Sequence, residues 1–159
     1  MRAYPLSSLV SLRERRVDEA QNALRLSISR LEEARLSLKR KEQELSDYKV
    51  WKKEEINRRY DELIGKVKKQ EEISKFNHEL VSLNIKEFDL QSEIEQLAKD
   101  LENAQKAYEK AVQVVNSVQK DLAKLEKHRE IWQFQEKRYE EYLADQELDD
   151  FKVKKSQDF

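Results

Sequence analysis

The sequence has 159 residues, of which 41% are Asp, Glu, Lys or Arg, with one Gly, one Pro and no Cys. So few turn formers exclude a sandwich, a barrel or a doubly wound sheet, which need turns at short intervals. Thirty-two bases balance 33 acids, which argues against a general nucleic-acid binder, and the missing thiols remove disulfides and thiolate metal sites together.

Ala, Glu, Lys, Leu and Arg make up just over half of the chain, a composition of long helices or coiled coils. The fold class expected is therefore all-α, as one domain over 1–159. Pro5 suits a first helical turn, and Ser7 or Ser8 could cap it. Helix one is expected over about 6–64. Its seam runs through Val17, Leu24, Leu31, Leu38 and Leu45 at sevens, with Ala20, Ser27, Ala34 and Tyr48 alternating and Lys41 as a gap. Lys52 breaks the pattern. It resumes out of phase at Ile56, Tyr60, Leu63 and Val67, a stutter that locally unwinds a supercoil.

A turn is expected at about 65–75, where the phase is lost beside Gly65, the only glycine. Helix two is expected over about 72–151. Its seam alternates steps of three and four from Ile73 through Phe76, Leu80, Leu83, Glu87 and Leu90 to Trp132, Glu136, Tyr139, Leu143 and Gln146. A 3.5-residue repeat sustained over about ten heptads marks a left-handed coiled coil. The apolar stripe is narrow and fits one partner helix. A disordered tail is expected over about 152–159.

Folding at the turn pairs the two seams antiparallel. Leu38 then meets Leu101, Leu45 meets Ile94, Ala34 meets Ala104, and Tyr60 lies beside Phe76. Lys52 falls opposite Glu87, so a cross-helix ion pair is expected there. Helix one would be about 88 Å long and helix two about 120 Å. The end of helix two, carrying Tyr139, Tyr142 and Phe151, should therefore extend past its partner, and uncovered apolar surface of that kind marks a partner site. Residues 1–40 hold nine bases against five acids, whereas Glu136–Asp150 holds seven acids against Lys137 and Arg138.

Catalytic chemistry is not visible. A two-helix hairpin offers no enclosed pocket. His78 and His128 fall off the seam and read as solvated surface. Adjacent acids such as Glu54-Glu55 point apart on a helix, and no glycine-rich phosphate loop occurs. No catalytic, cofactor or metal residue is assigned. No window is apolar enough to span a membrane, and no export leader is visible at the N-terminus. Trp51 is one position off the seam. It either packs its edge over the seam or forms a binding hot spot, a role in which Trp is enriched.

The chain resembles the YscO (SctO) family of type III secretion proteins, relatives of the flagellar export protein FliJ. The residues that carry the resemblance are Tyr4-Pro5-Leu6, Leu12, Arg16-Val17-Asp18-x-Ala20 and Tyr48-x-x-Trp51-Lys52-x-Glu54-Glu55. The helical end rich in Glu, Tyr and Gln agrees with it. The resemblance implies an antiparallel two-helix coiled coil that acts as a monomeric central stalk. Such a stalk would link the hexameric secretion ATPase to the cytoplasmic ring of the export gate and bind export chaperones. It implies a cytoplasmic position at the base of the apparatus and leaves open export of the chain itself. By location, Leu45, Tyr48, Trp51, Lys52, Phe76 and Leu80 become candidate gate contacts. Arg13, Arg15 and Arg16 become candidate ATPase contacts by analogy with rotary stalks. The alternatives are the flagellar counterpart and a generic tether, such as a parallel homodimeric rod.

Overall fold

The computed structural model describes residues 2–65 and 69–157. Two helices account for nearly all of them: α1, Ser7–Ile64 (58 residues), and α2, Gln70–Gln157 (88 residues). No strand occurs among the described residues. The second helix is the longer, and the two pack antiparallel. Positions rising along α1 meet positions falling along α2. Arg2, Tyr4 and Arg13 contact Glu136, His128 and Asp121, while Lys41, Lys52 and Arg59 contact Glu93, Glu87 and Glu79.

The heptad pattern of α2 becomes the observed interface. Every seam position from Phe76 to Glu136 is buried or half-buried. Ile73, Tyr139, Leu143 and Gln146, at the two ends, are exposed. On α1 the seam positions from Val17 to Lys52 are likewise covered. After Lys52 the stutter resolves differently from expectation. Ile56 and Leu63 are half-buried, but Tyr60 is 53% exposed and Arg59 is the inward neighbour. Arg59 donates to Glu55 (2.9 Å) and across to Glu79 (3.2 Å). An arginine can lay its apolar stem on the seam and keep its head solvated, which lets it displace an aromatic ring at a phase shift. Tyr60 still reaches Phe76, ring to ring, at 6.4 Å.

Packing divides the chain into two compact units, where one domain was expected. One comprises residues up to Arg25 and from Lys110 onward; the other is Leu26–Glu109. A pair of long helices has no common centre, so each layer contacts only its neighbours, as in a linear repeat. In the first unit Tyr4, Val10 and Leu125 cluster with Leu9, Leu122 and Trp132 against them. In the second, Leu45, Tyr48, Leu83 and Leu90 cluster with Ile56 and Ile94. A fully covered side chain of this size contributes about 1.5–3 kcal/mol, so stability is spread along the seam.

The link between the helices is shorter than expected. α2 starts at Gln70, and the Glu72 and Ile73 amides donate to the Lys69 carbonyl (3.0 and 3.3 Å). Glu71 and Glu72 in the first turn complement the helix dipole. Lys66–Lys68, part of the expected turn, lie outside the described residues. Gly65 does not have a positive φ, and its N–H still donates to the Asp61 carbonyl (3.2 Å). At the far end α2 stays helical to Gln157 across residues 152–157, where an unstructured tail was expected. Lys154 and Lys155 stabilise that last turn through the dipole.

Candidate functional site

The gate candidates lie on two different kinds of surface. Leu45 and Tyr48 are buried, and Lys52, Phe76 and Leu80 are half-buried in the helix–helix interface. Trp51 alone of the six is exposed, at 46%. The indole packs on the Tyr48 ring (centroids 5.6 Å apart) and still presents half of its surface to solvent. Tyr48 is held from beneath, because its hydroxyl donates to the Leu83 carbonyl at 2.8 Å. Burial pushes its phenol above the usual range. The Lys86 ammonium sits 5.3 Å from the centre of the same ring, a cation–π arrangement.

Below Trp51 the expected ion pair is present. Lys52 Nζ lies 2.5 Å from Glu87 Oε2, with both side chains largely enclosed. The lysine hydrogen bond holds the Glu87 carboxyl below the ordinary carboxylate range, against the opposing effect of burial. The neighbouring polar layer is Lys41, which bridges Glu44 on its own helix (3.0 Å) and Glu93 on α2 (2.8 Å).

A second surface near the turn was missed by the sequence reading. Val81, Ile85 and Phe88 are exposed, Phe88 at 70%. Their spacing of four and three places them on one stripe of α2, turned away from the seam residues Leu83, Glu87 and Leu90. The signal was available as a short apolar run at helical spacing outside the main heptad.

The terminal end holds a second group of contacts. Arg13 is half-buried and donates to the Asp121 carbonyl across the interface at 2.8 Å. Arg15 and Arg16 are exposed. The segment before α1 folds back on α2 as a strap. Tyr4 is buried, with its hydroxyl 2.5 Å from His128 Nδ1 and its ring edge-on to Trp132 at 5.4 Å. Ser7 Oγ donates to the Tyr4 carbonyl (2.6 Å), so it secures the strap, and the first helical bond runs from the Val10 amide to the Leu6 carbonyl. Arg2 makes two bonds to Glu136, the buried acid of the interface at 7% exposure. These bonds keep the Glu136 carboxyl below its ordinary range. Heptad position gave no warning of the strap, because residues 2–6 precede the repeat.

Beyond Glu136, α2 is exposed throughout its described length. Tyr139, Tyr142 and Phe151 are 51, 56 and 65% exposed. Among the described residues no group of three or more His, Asp or Glu side chains is placed to hold a metal, and no helix is long and apolar enough to cross a membrane.

The family model for type III secretion protein YscO matches residues 6–154. The solved type III secretion protein YscO of Vibrio parahaemolyticus superposes with a TM-score of 0.77 at 21% identity, covering 89% of this chain and 91% of that one. A structure described as a YscO homologue, from Chlamydia trachomatis, gives 0.75 at 21% identity over 95% and 93%. At that identity the likeness is one of fold. No curated protein matches the sequence.

Proposed function

The chain belongs to the YscO family of type III secretion proteins, and on that premise we propose that it is a non-enzymatic stalk. In this reading it couples the hexameric secretion ATPase to the cytoplasmic ring of the export gate, works as a monomer at the cytoplasmic base of the apparatus, and also receives export chaperones. The observation that carries it is the separation of roles along one paired helix. The seam is spent on holding α1 to α2, and distinct uncovered surfaces are left in each compact unit.

For the gate, Trp51 and the Val81–Ile85–Phe88 stripe supply accessible apolar area near the turn. Leu45, Tyr48, Lys52, Phe76 and Leu80 act beneath, by fixing the backbone that presents them. For the ATPase, Arg15 and Arg16 offer exposed guanidinium groups, and Arg13 ties that part of α1 to α2. A parallel homodimeric tether gains nothing from the antiparallel contacts within one chain.

The test uses the purified cognate ATPase and the gate ring. The chain should raise the hydrolysis rate at substoichiometric amounts. Arg15→Glu with Arg16→Glu should abolish that rise and leave gate-ring capture intact. Ile85→Ala with Phe88→Ala should do the reverse. No effect on hydrolysis, with no capture of the ring, would overturn the proposal.

A further inference from the structure

The interface in the terminal unit stops before its pattern does. Arg2 and the strap cover the seam as far as Trp132 and Glu136. The same alternation of three and four then continues through Tyr139, Leu143, Gln146, Asp150 and Val153. Tyr139, Leu143 and Val153 are 51, 40 and 56% exposed. Arg2 comes near Tyr139, but all three side chains keep a large exposed surface, and α2 remains helical to Gln157. A heptad stripe continuous with an existing helix–helix interface is shaped for another helix in the same packing mode, with side chains inserting between those of the stripe.

Charge identifies what kind of helix. From Glu141 to Asp150 there are five acids and no base. In the heptad that places Leu143 and Asp150 at position a, Glu147 occupies e and Asp149 occupies g, the positions that face a partner's flanks. Asp150 lies on the stripe itself. A second copy of the same helix would bring these carboxylates against one another, and an anionic lipid surface would repel them. A helix with an apolar stripe and Lys or Arg at its flanks satisfies both the apolar and the charged parts.

We propose that residues 139–153 of α2 form a docking site for a basic amphipathic helix of another protein, which takes up the seam where the chain's own N-terminal segment leaves it. This site stands apart from the stalk reading. It uses neither the turn-proximal stripe nor the arginines of α1, so its test fails or succeeds separately.

The test takes the full chain and a synthetic helical peptide of about three heptads, with Leu at a and d and Lys at e and g. A second peptide carries Glu at e and g. Binding is read by fluorescence anisotropy, and a photo-crosslinking residue at Gln146 reports the site. The Lys-flanked peptide should bind roughly tenfold tighter or better, crosslink at 146 and weaken as salt rises. Tyr139→Ser with Leu143→Ser should abolish the crosslink. Glu147→Lys, Asp149→Lys and Asp150→Lys together should reverse the preference between peptides. These positions are exposed, so an unchanged thermal transition should accompany each variant. Three results would overturn the proposal: equal binding of both peptides, a preference that survives the charge reversal, or a homodimer in sedimentation that Leu143→Ser dissolves.

Discussion

Reversing the charge of Lys52 probes how the two helices are held in register. Its ammonium is 2.5 Å from Glu87, and the two side chains are 15 and 28% exposed. Fully exposed pairs are worth about 0.2–1 kcal/mol, and orphaning one member of a fully buried pair costs about 3–5 kcal/mol. This pair lies between, so Lys52→Glu should destabilise the fold by about 2 kcal/mol. That corresponds to a fall in Tm of roughly 4–8 °C for a chain of this size. Adding Glu87→Lys restores an opposite-charge pair in the same layer and should recover about half of the loss. Lys49 contributes to the field at Glu87, so full recovery is not expected. The assay is thermal unfolding followed by circular dichroism for the four members of the cycle. If the two changes add with no recovery, Lys52 and Glu87 do not face each other and the register is wrong.

Other perturbations have defined outcomes. Hydrogen bonds from Arg58 and Arg59 hold the Glu55 carboxyl down to about 2, and Glu87 and Glu136 are also depressed by their cationic partners. Groups lowered in the folded state stabilise it above the unfolded carboxylate value. Tm should therefore fall as pH drops from about 4.5 towards 2, and Glu55→Gln should flatten part of that fall. Gly65 has no positive φ, and a Cβ there would sit 3.6 Å from the Asp61 carbonyl oxygen and 3.8 Å from that of Glu62 among the described residues. Gly65→Ala should thus raise stability by about 0.4–1 kcal/mol in urea titration, and a marked loss would show that the link needs glycine. Tyr4→Ala removes the ring that covers Trp132 and should cost about 2–4 kcal/mol. In a Trp51→Phe background it should also shift the indole emission to the red, and unchanged emission would mean that the strap does not cover the indole.

Seam residues were legible because their spacing is a global signal. Every position of one alternation from Phe76 to Glu136 is inward, including the charged ones, and Lys52 opposite Glu87 follows from pairing two such seams. Two features escaped because they depend on local competition or on chain outside the repeat. Arg59 displaced Tyr60 where the phase shifts, since its stem can cover the seam while its head pairs with Glu55 and Glu79. The strap of Arg2 and Tyr4 precedes the helix, so no period reports its path, and His128 gained its phenol neighbour from there. The candidate gate contacts rest on nearness to the turn and on size. Those criteria select interface residues such as Leu45 and Phe76 as readily as accessible ones, and they passed over Phe88, which lies off the heptad.

The pairing of α1 and α2 within one molecule is the claim on which the rest depends. The chain has no cysteine, so Lys39→Cys and Lys99→Cys, both at exposed positions of the same compact unit, accept spin labels cleanly. Helix axes in contact are about 8–10 Å apart. The dipolar distance should therefore be short, about 20 Å or less, and unchanged when labelled chain is diluted with unlabelled chain. A long distance, or a short one that disappears on dilution, would contradict the account.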